Sequence, residues 1–184
     1  MPARQILLAA ILGSVFSVSA LAQESTEKQM PSEEKIRKEA QANTKYLAAT
    51  VLKKAKSILE DYGPFAPFGA GLFQDGEVNF VWAVKPGEST EGVNPVLVLN
   101  AVRTALNTQA KSGRILGSAV VYQYRDSDGN GDLQINVELE YLNGYAEVVA
   151  TQYEKGPDGV EFTGSANSPY DARIFTGLDE GSNQ

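Results

Sequence analysis

The residues whose types and spacing best suit a chemical function lie in an acidic loop between Asp126 and Leu133. Asp or Asn occupies its first, third and fifth positions, glycine its sixth and an aliphatic residue its eighth. This spacing matches the start of an EF-hand loop, in which oxygen ligands coordinate Ca²⁺. The twelfth position should be a bidentate glutamate, but it is Val137. We therefore interpret the segment as a metal-free turn and keep a weak Ca²⁺ site as the alternative. The candidate ligands are Asp126, Asp128, Asn130 and Asp132.

A second candidate site is a group of glutamates near a predicted hairpin. Residues 133–141 alternate strictly between apolar and polar side chains, which is typical of a strand with one face in water. The polar face carries Glu138 and Glu140, and the return strand adds Glu147. Like charges that face each other are mildly destabilising, so this acidic face is a candidate for binding a cation or a basic protein. The alternative, which we favour, is that solvent or a nearby basic side chain neutralises it.

The register of this hairpin follows from Asn143-Gly144, a pair that predicts a two-residue turn. Counting back from that turn pairs Leu139 with Val148 and Glu140 with Glu147. Apolar residues then meet apolar residues on the core face, which makes the predicted register self-consistent.

Aromatic residues mark the third candidate site, in the stretch from Tyr62 to Gly71. Phe65 and Phe68 lie beside prolines and could form a recognition surface, because aromatic and proline side chains lose little entropy on binding. We favour burial of these rings at the junction between a helix and a sheet, because large rings bury so much area.

Catalysis has little support in the composition. The chain has no histidine and no cysteine, which excludes imidazole bases, thiolate nucleophiles and Ser-His-Asp triads. Acid and base catalysis by carboxylates remains open, but no pair of acids stands out. We therefore expect a protein that is not an enzyme and has no cofactor.

Two amphipathic helices are predicted to position these residues. The first begins after Ser32 as N-cap and ends before Gly63, and the second begins after Asn94 and ends before Gly113. Each has an apolar stripe at helical spacing. The first stripe is Leu47, Val51, Ala55, Ile58 and Tyr62, and the second is Leu97, Ala101, Ala105 and Leu106.

The strand patterns complete an α+β fold with a single antiparallel sheet of about five strands. Strands are predicted at 68–73, 77–84, 115–125, 133–141 and after Gly144, with a further one near 160–164. The element order is therefore α-β-β-α-β-β-β, with the helices expected on one side of the sheet. Roadblock or profilin-like domains have a similar order, and nuclear-transport-factor-like folds come close.

The N-terminal segment indicates export. Arg4 precedes an apolar run that ends in Ala20-Leu21-Ala22, so we expect residues 1–22 to be a signal peptide and 23–31 a flexible lead-in. A single domain should span 32–175, followed by a loose polar tail at 176–184. The localisation is then periplasmic or secreted, without a membrane anchor once the signal is removed. A net charge of −7 argues against nucleic acid as a partner.

Several short motifs resemble a family of small bacterial proteins of unknown function. In that family a helix ends in a Tyr/His-Gly-x-Phe-x-Pro-Phe-Gly segment and a short hairpin follows. The motifs that carry the resemblance are residues 58–63, 65–70, 75–77, 113–115 and 172–175. The resemblance implies the same order of elements and supplies no activity or site residues.

The sequence thus favours an exported, non-enzymatic binding or interaction domain for an unknown protein or small ligand. One alternative is a periplasmic immunity or inhibitor protein that blocks a toxic enzyme through its acidic face. A lesser alternative is a carboxylate-dependent hydrolase.

Overall fold

The computed structural model describes residues 32–124 and 133–177. They form two helices and six strands, in the order that the sequence predicts with one added strand. The elements are α1 (Glu33–Asp61), β1 (Phe68–Phe73), β2 (Val78–Trp82), α2 (Pro95–Lys111), β3 (Ile115–Tyr124), β4 (Gln134–Tyr141), β5 (Ala146–Gly156) and β6 (Gly159–Pro169). The α+β class and the single antiparallel sheet are confirmed.

Both helices begin and end where their capping residues predict. The Ser32 side chain accepts a hydrogen bond from the backbone N–H of Lys35, and Asn94 accepts from those of Val96 and Leu97. These bonds satisfy N–H groups that have no partner within the first helical turn. In the described chain, neither helix is long and apolar enough to cross a membrane.

The six strands lie in the order β2-β1-β3-β4-β5-β6, and every neighbouring pair is antiparallel. β2 and β6 are therefore the two edges of the sheet. The connection from β2 to β3 crosses β1 through α2, so β1 lies between the edge strand and the centre of the sheet. The two faces of β1 contact different helices.

The helices pack on opposite faces of the sheet, which corrects the expectation that both lie on one side. In β1, Phe68 belongs to the core that α1 covers, whereas the next residue, Gly69, faces Val102 and Leu106 of α2. Successive residues of a strand point to opposite faces, so this alternation places one helix on each side. The α2 core also contains Ile174 and Phe175, which follow the last strand.

The apolar stripe of α2 is one residue away from the predicted one. Its buried residues are Val98, Val102, Leu106 and Ala110, while Leu97 is 67% exposed and Ala101 is exposed. The N-terminal half of α2 is apolar on several faces, so spacing alone does not select one.

In α1 the predicted stripe is buried from Leu47 to Ile58, but Tyr62 at its end is 60% exposed.

The predicted register of the β4–β5 hairpin is wrong by one residue. Leu139 pairs with Glu147 and Glu140 with Ala146, because Leu142, Asn143 and Gly144 form a three-residue loop. Gly144 has a φ of 84°, the left-handed conformation that closes such a loop with a bulge. A slip of one residue exchanges the faces of a strand. Val149 and Tyr153 are therefore buried in the α1 core, in place of the predicted Val148.

We predict that Gly69→Ala destabilises the protein by about 1–3 kcal/mol, because overpacking a filled core costs that much. A Cβ at Gly69 would lie 2.7 Å from Val102 Cγ1 and 2.8 Å from Leu106 Cδ1, so α2 would have to move. The measurement is the free energy of unfolding in urea. Gly156→Ala is the matched control, since its added Cβ would meet only the Gly159 carbonyl oxygen at 4.0 Å. Equal losses in the two variants would contradict the close approach of α2.

Candidate functional site

A cleft at the junction between α1 and β2 is lined by three aromatic side chains. The C-terminal turn of α1 and the end of β2 form its walls, and its volume is about 510 Å³. Tyr62, Phe80 and Trp82 supply its aromatic surface, with Lys54 and Lys85 beside them. We call this group of five residues the aromatic cleft. It adjoins the Tyr62–Gly71 stretch in which the sequence predicts a junction.

Two rings of the aromatic cleft, Phe80 and Trp82, rest on buried Phe68. This side chain is completely buried and stacks on Trp82 with ring centroids 4.7 Å apart, and Phe65 and Phe80 lie within 5.5 and 6.2 Å. Phe80 and Trp82 stack on each other at 5.7 Å. The predicted core position of Phe68 is confirmed, and Phe65 is half-buried beside it. Packing on a fixed ring restrains Phe80 and Trp82, so the surface of the cleft is preorganised.

Tyr62 stands at the mouth of the cleft instead of in the core. It is the C-cap of α1, where the helix ends, and it packs against the backbone of Gly87 in the loop before α2. An added Cβ at Gly87 would lie 3.1 Å from the Tyr62 ring. The ring therefore has one packed side and one side open to a ligand.

The lining of the aromatic cleft has two cations and one acid, and the Glu88 carboxylate lies next to it, where it accepts the Lys85 backbone N–H at 2.8 Å. Lys54 and Lys85 line the cleft against a single acid, Asp61, which accepts a hydrogen bond from the Ser57 hydroxyl at 3.2 Å. Neither lysine forms an ion pair with any residue that the structure describes. In a protein with a net charge of −7, this surface favours acidic groups on a ligand.

The glutamates that the sequence places on an exposed acidic face are not together, and two of them are buried. Glu138 is 5% exposed and Glu140 is 1% exposed, because α2 and the segment after β6 cover their face of β4. Glu147 pairs with Leu139 and accepts a hydrogen bond from Asn167 Nδ2 at 3.0 Å. The prediction of a solvent-exposed face containing all three is therefore wrong.

Glu138 is neutralised by Arg103, which reaches it from α2. The guanidinium Nε donates to Glu138 Oε2 at 3.0 Å, and Nη2 donates to Oε1. Such a bidentate contact offsets much of the cost of burying the charge. Tyr122 on the neighbouring strand has its pKa raised by burial and then by the Glu138 charge.

Glu140 binds the chain that follows β6. Its carboxylate accepts backbone N–H groups from three successive residues: Arg173 at 2.8 Å, Ile174 at 2.8 Å and Phe175 at 3.0 Å. The Tyr170 hydroxyl also donates to it. Burial of Tyr170, and then its hydrogen bond to Glu140, raise the pKa of this hydroxyl well above its usual range. We call residues 170–176 the C-terminal segment.

No family model, curated protein or solved structure matches the chain. The resemblance to the bacterial family of unknown function therefore stays a prediction, as do the roadblock, profilin and nuclear-transport-factor likenesses.

The calcium prediction falls on residues outside those that the structure describes, namely Asp126, Asp128, Asn130 and Asp132. Within residues 32–124 and 133–177, no group of three or more acidic side chains is arranged to hold a metal ion. The expected signal peptide and lead-in also lie outside the described residues.

Sequence reasoning missed the partners of both buried glutamates. Arg103 lies on α2 and Tyr170 follows β6, so each is distant in sequence from the carboxylate it contacts. One signal was available: Ile174 and Phe175 form an apolar pair in a polar C-terminal region, which indicates a segment that packs on the domain.

We predict that Glu140→Gln destabilises the protein by about 3 kcal/mol, because buried donors lose a charged acceptor. The new amide would also direct N–H groups at backbone N–H groups of the C-terminal segment. Urea denaturation measures the loss, and amide exchange at Ile174 and Phe175 should accelerate. The exposed Glu91→Gln should stay within about 0.5 kcal/mol of the wild type. A loss below about 1 kcal/mol for Glu140→Gln would contradict this role.

The raised pKa of Tyr170 predicts how the free energy of unfolding changes at alkaline pH. Tyrosines in the unfolded chain lose their proton near pH about 10, whereas the raised pKa keeps Tyr170 protonated in the folded state. The unfolded state then binds fewer protons, so the free energy of unfolding falls as the pH rises above about 10. Tyr170→Phe should be less stable at neutral pH and lose less with rising pH. Identical alkaline slopes in the two proteins would exclude this contribution.

Proposed function

We propose that the protein is an exported, non-enzymatic binding domain that takes up an extended, acidic segment of a partner protein along β2. The observation that carries the proposal is the position of the aromatic cleft beside an open strand edge. The partner segment adds a strand to β2 and places an apolar side chain between Tyr62 and Trp82.

Among the described residues, no strand pairs with the outer side of β2. Its five residues, Val78–Trp82, contain no charge and no proline, and β1 occupies only one of its sides. Natural sheets blunt their edges with lysine, proline or bulges, because unpaired N–H and C=O groups are a template for another strand. The opposite edge, β6, ends in Pro169 and is polar along most of its length. The contrast supports β2 as the edge that accepts a partner.

The chemistry of the cleft supports the class of partner. Backbone hydrogen bonds to β2 would supply affinity, and pockets for alternate side chains would supply specificity. Tyr62 and Trp82 offer large, rigid apolar area, the residue types that dominate binding energy at interfaces. Lys54 and Lys85 select acidic residues near the apolar side chain.

The other functions that the sequence left open have less support. The inhibitor hypothesis relied on an acidic face, and Glu138 and Glu140 are buried away from that surface. The hydrolase hypothesis needs a carboxylate that can reach a substrate, whereas these two already accept hydrogen bonds from Arg103 and from the C-terminal segment.

The test uses Trp82, which is the only tryptophan of the chain and lies in the aromatic cleft. Extended peptides selected from a random display library should be enriched in an apolar residue flanked by Asp or Glu. Their binding should shift the Trp82 emission and protect it from acrylamide quenching. Tyr62→Ala should weaken binding by about 2 kcal/mol, or roughly thirtyfold in Kd.

Matched controls separate the aromatic cleft from the rest of α1. Tyr46→Ala removes another tyrosine of the same helix, 51% exposed, and should leave Kd unchanged. Lys54→Glu with Lys85→Glu should abolish the preference for acidic peptides, whereas Lys45→Glu should not. Selected peptides that leave the Trp82 emission unchanged, or that bind Tyr62→Ala and Tyr46→Ala equally, would refute the proposal.

A further inference from the structure

A second cleft lies on the opposite face of the sheet, between α2 and the C-terminal segment. Its volume is about 420 Å³. One face of α2 and two residues of the C-terminal segment line it: Asn100, Arg103, Thr104, Asn107, Lys111, Arg173 and Thr176. We call it the polar cleft. It shares no residue with the aromatic cleft.

The charge of the polar cleft is opposite to that of the protein. Arg103, Lys111 and Arg173 line it, and no acidic side chain of the described residues does. Lys111 and Arg173 form no ion pair within the described chain. These two unpaired cations make the polar cleft locally positive on a chain with a net charge of −7, so the cleft attracts anions.

The two buried glutamates hold the Arg103 guanidinium and the backbone of Arg173. Glu138 binds Arg103 through Nε and Nη2, and no described residue accepts a hydrogen bond from Nη1. Glu140 accepts the backbone N–H of Arg173 and fixes the chain from which its guanidinium extends. Asn107 Nδ2 donates to the Ile174 carbonyl at 2.6 Å and ties α2 to the C-terminal segment. The cleft is therefore preorganised before any ligand enters.

We propose that the polar cleft binds a compact anion of the phosphate class, with more than one negative charge. Guanidinium groups match the oxygen geometry of phosphate and bind it through paired N–H donors. Lys111 adds a point charge, and the Asn100 amide adds a neutral donor. Lys111 and Arg173, the two cations of the cleft without an ion pair in the described chain, favour a dianion over a simple carboxylate, since each added charge gains an attraction to both.

The experiment is a titration of the ¹⁵N-labelled protein with inorganic phosphate at constant ionic strength, followed by amide chemical shifts. Saturable shifts should be confined to α2 and residues 173–176. Lys111→Gln with Arg173→Gln should weaken phosphate binding by about tenfold or more, because charge-assisted hydrogen bonds are lost. Both side chains are exposed, so this variant should fold as the wild type does. Acetate should bind more weakly than phosphate.

The matched control is Lys54→Gln with Lys85→Gln, which removes two cations from the aromatic cleft instead. Its phosphate Kd should stay within about twofold of the wild type. Equal weakening in the two double variants would show a response to net charge alone and overturn the site. An absence of saturable shifts across a millimolar titration, or shifts centred outside the polar cleft, would overturn it as well.

Discussion

The Glu140 carboxylate fixes the C-terminal segment on the face of the sheet that α2 covers. It is almost fully buried in the middle of the sheet and accepts three successive backbone N–H groups and a tyrosine hydroxyl. A buried anion without donors would be very costly, so docking of the C-terminal segment on Glu140 stabilises both β4 and the segment. Their association delivers Ile174 and Phe175 to the core beneath α2 and positions Arg173 at the polar cleft. One side chain thus links strand pairing, core packing and the charge pattern of a surface.

β1 packs against a different helix on each of its two faces. Phe68 fills the α1 side and anchors the aromatic rings, while Gly69 leaves room for α2 to approach closely. Interiors at native density require a small residue wherever a helix approaches a strand this closely. These adjacent residues therefore contribute to two cores on opposite faces of the sheet.

Element types and boundaries were readable from the sequence, because capping residues and turn formers act locally. Ser32, Asn94 and Gly63 mark helix ends through interactions with their own neighbours in the chain. It was harder to predict which face of each element is buried and what covers it. Alternation along β4 shows two chemically different faces, and it does not reveal that α2 brings Arg103 to the polar one. The hairpin register failed for a related reason, since Asn-Gly suits two-residue and three-residue loops alike.

The candidate sites were only partly predictable. The sequence indicated the helix-to-sheet junction, but Tyr62 was wrongly predicted to be in the core. Tyr62 continues the helical spacing of the apolar stripe, although the helix ends before it. The polar cleft was not foreseen, because its residues come from α2 and from chain about 70 residues later, as in the Asn107 to Ile174 contact with a separation of 67. Contacts of that range depend on the assembled sheet and leave no local pattern.

The Glu140 contacts also have a kinetic consequence. Residues 173–175 meet a strand that lies 33 to 35 positions earlier, so the α2 layer cannot close until nearly the whole domain has been synthesised. Until then the apolar face beneath α2 lacks Ile174 and Phe175, and a carboxylate occupies their docking position without donors. During synthesis this segment can therefore dock only after all other described elements have been made, and a nascent chain that stops short of it lacks the donors for Glu140.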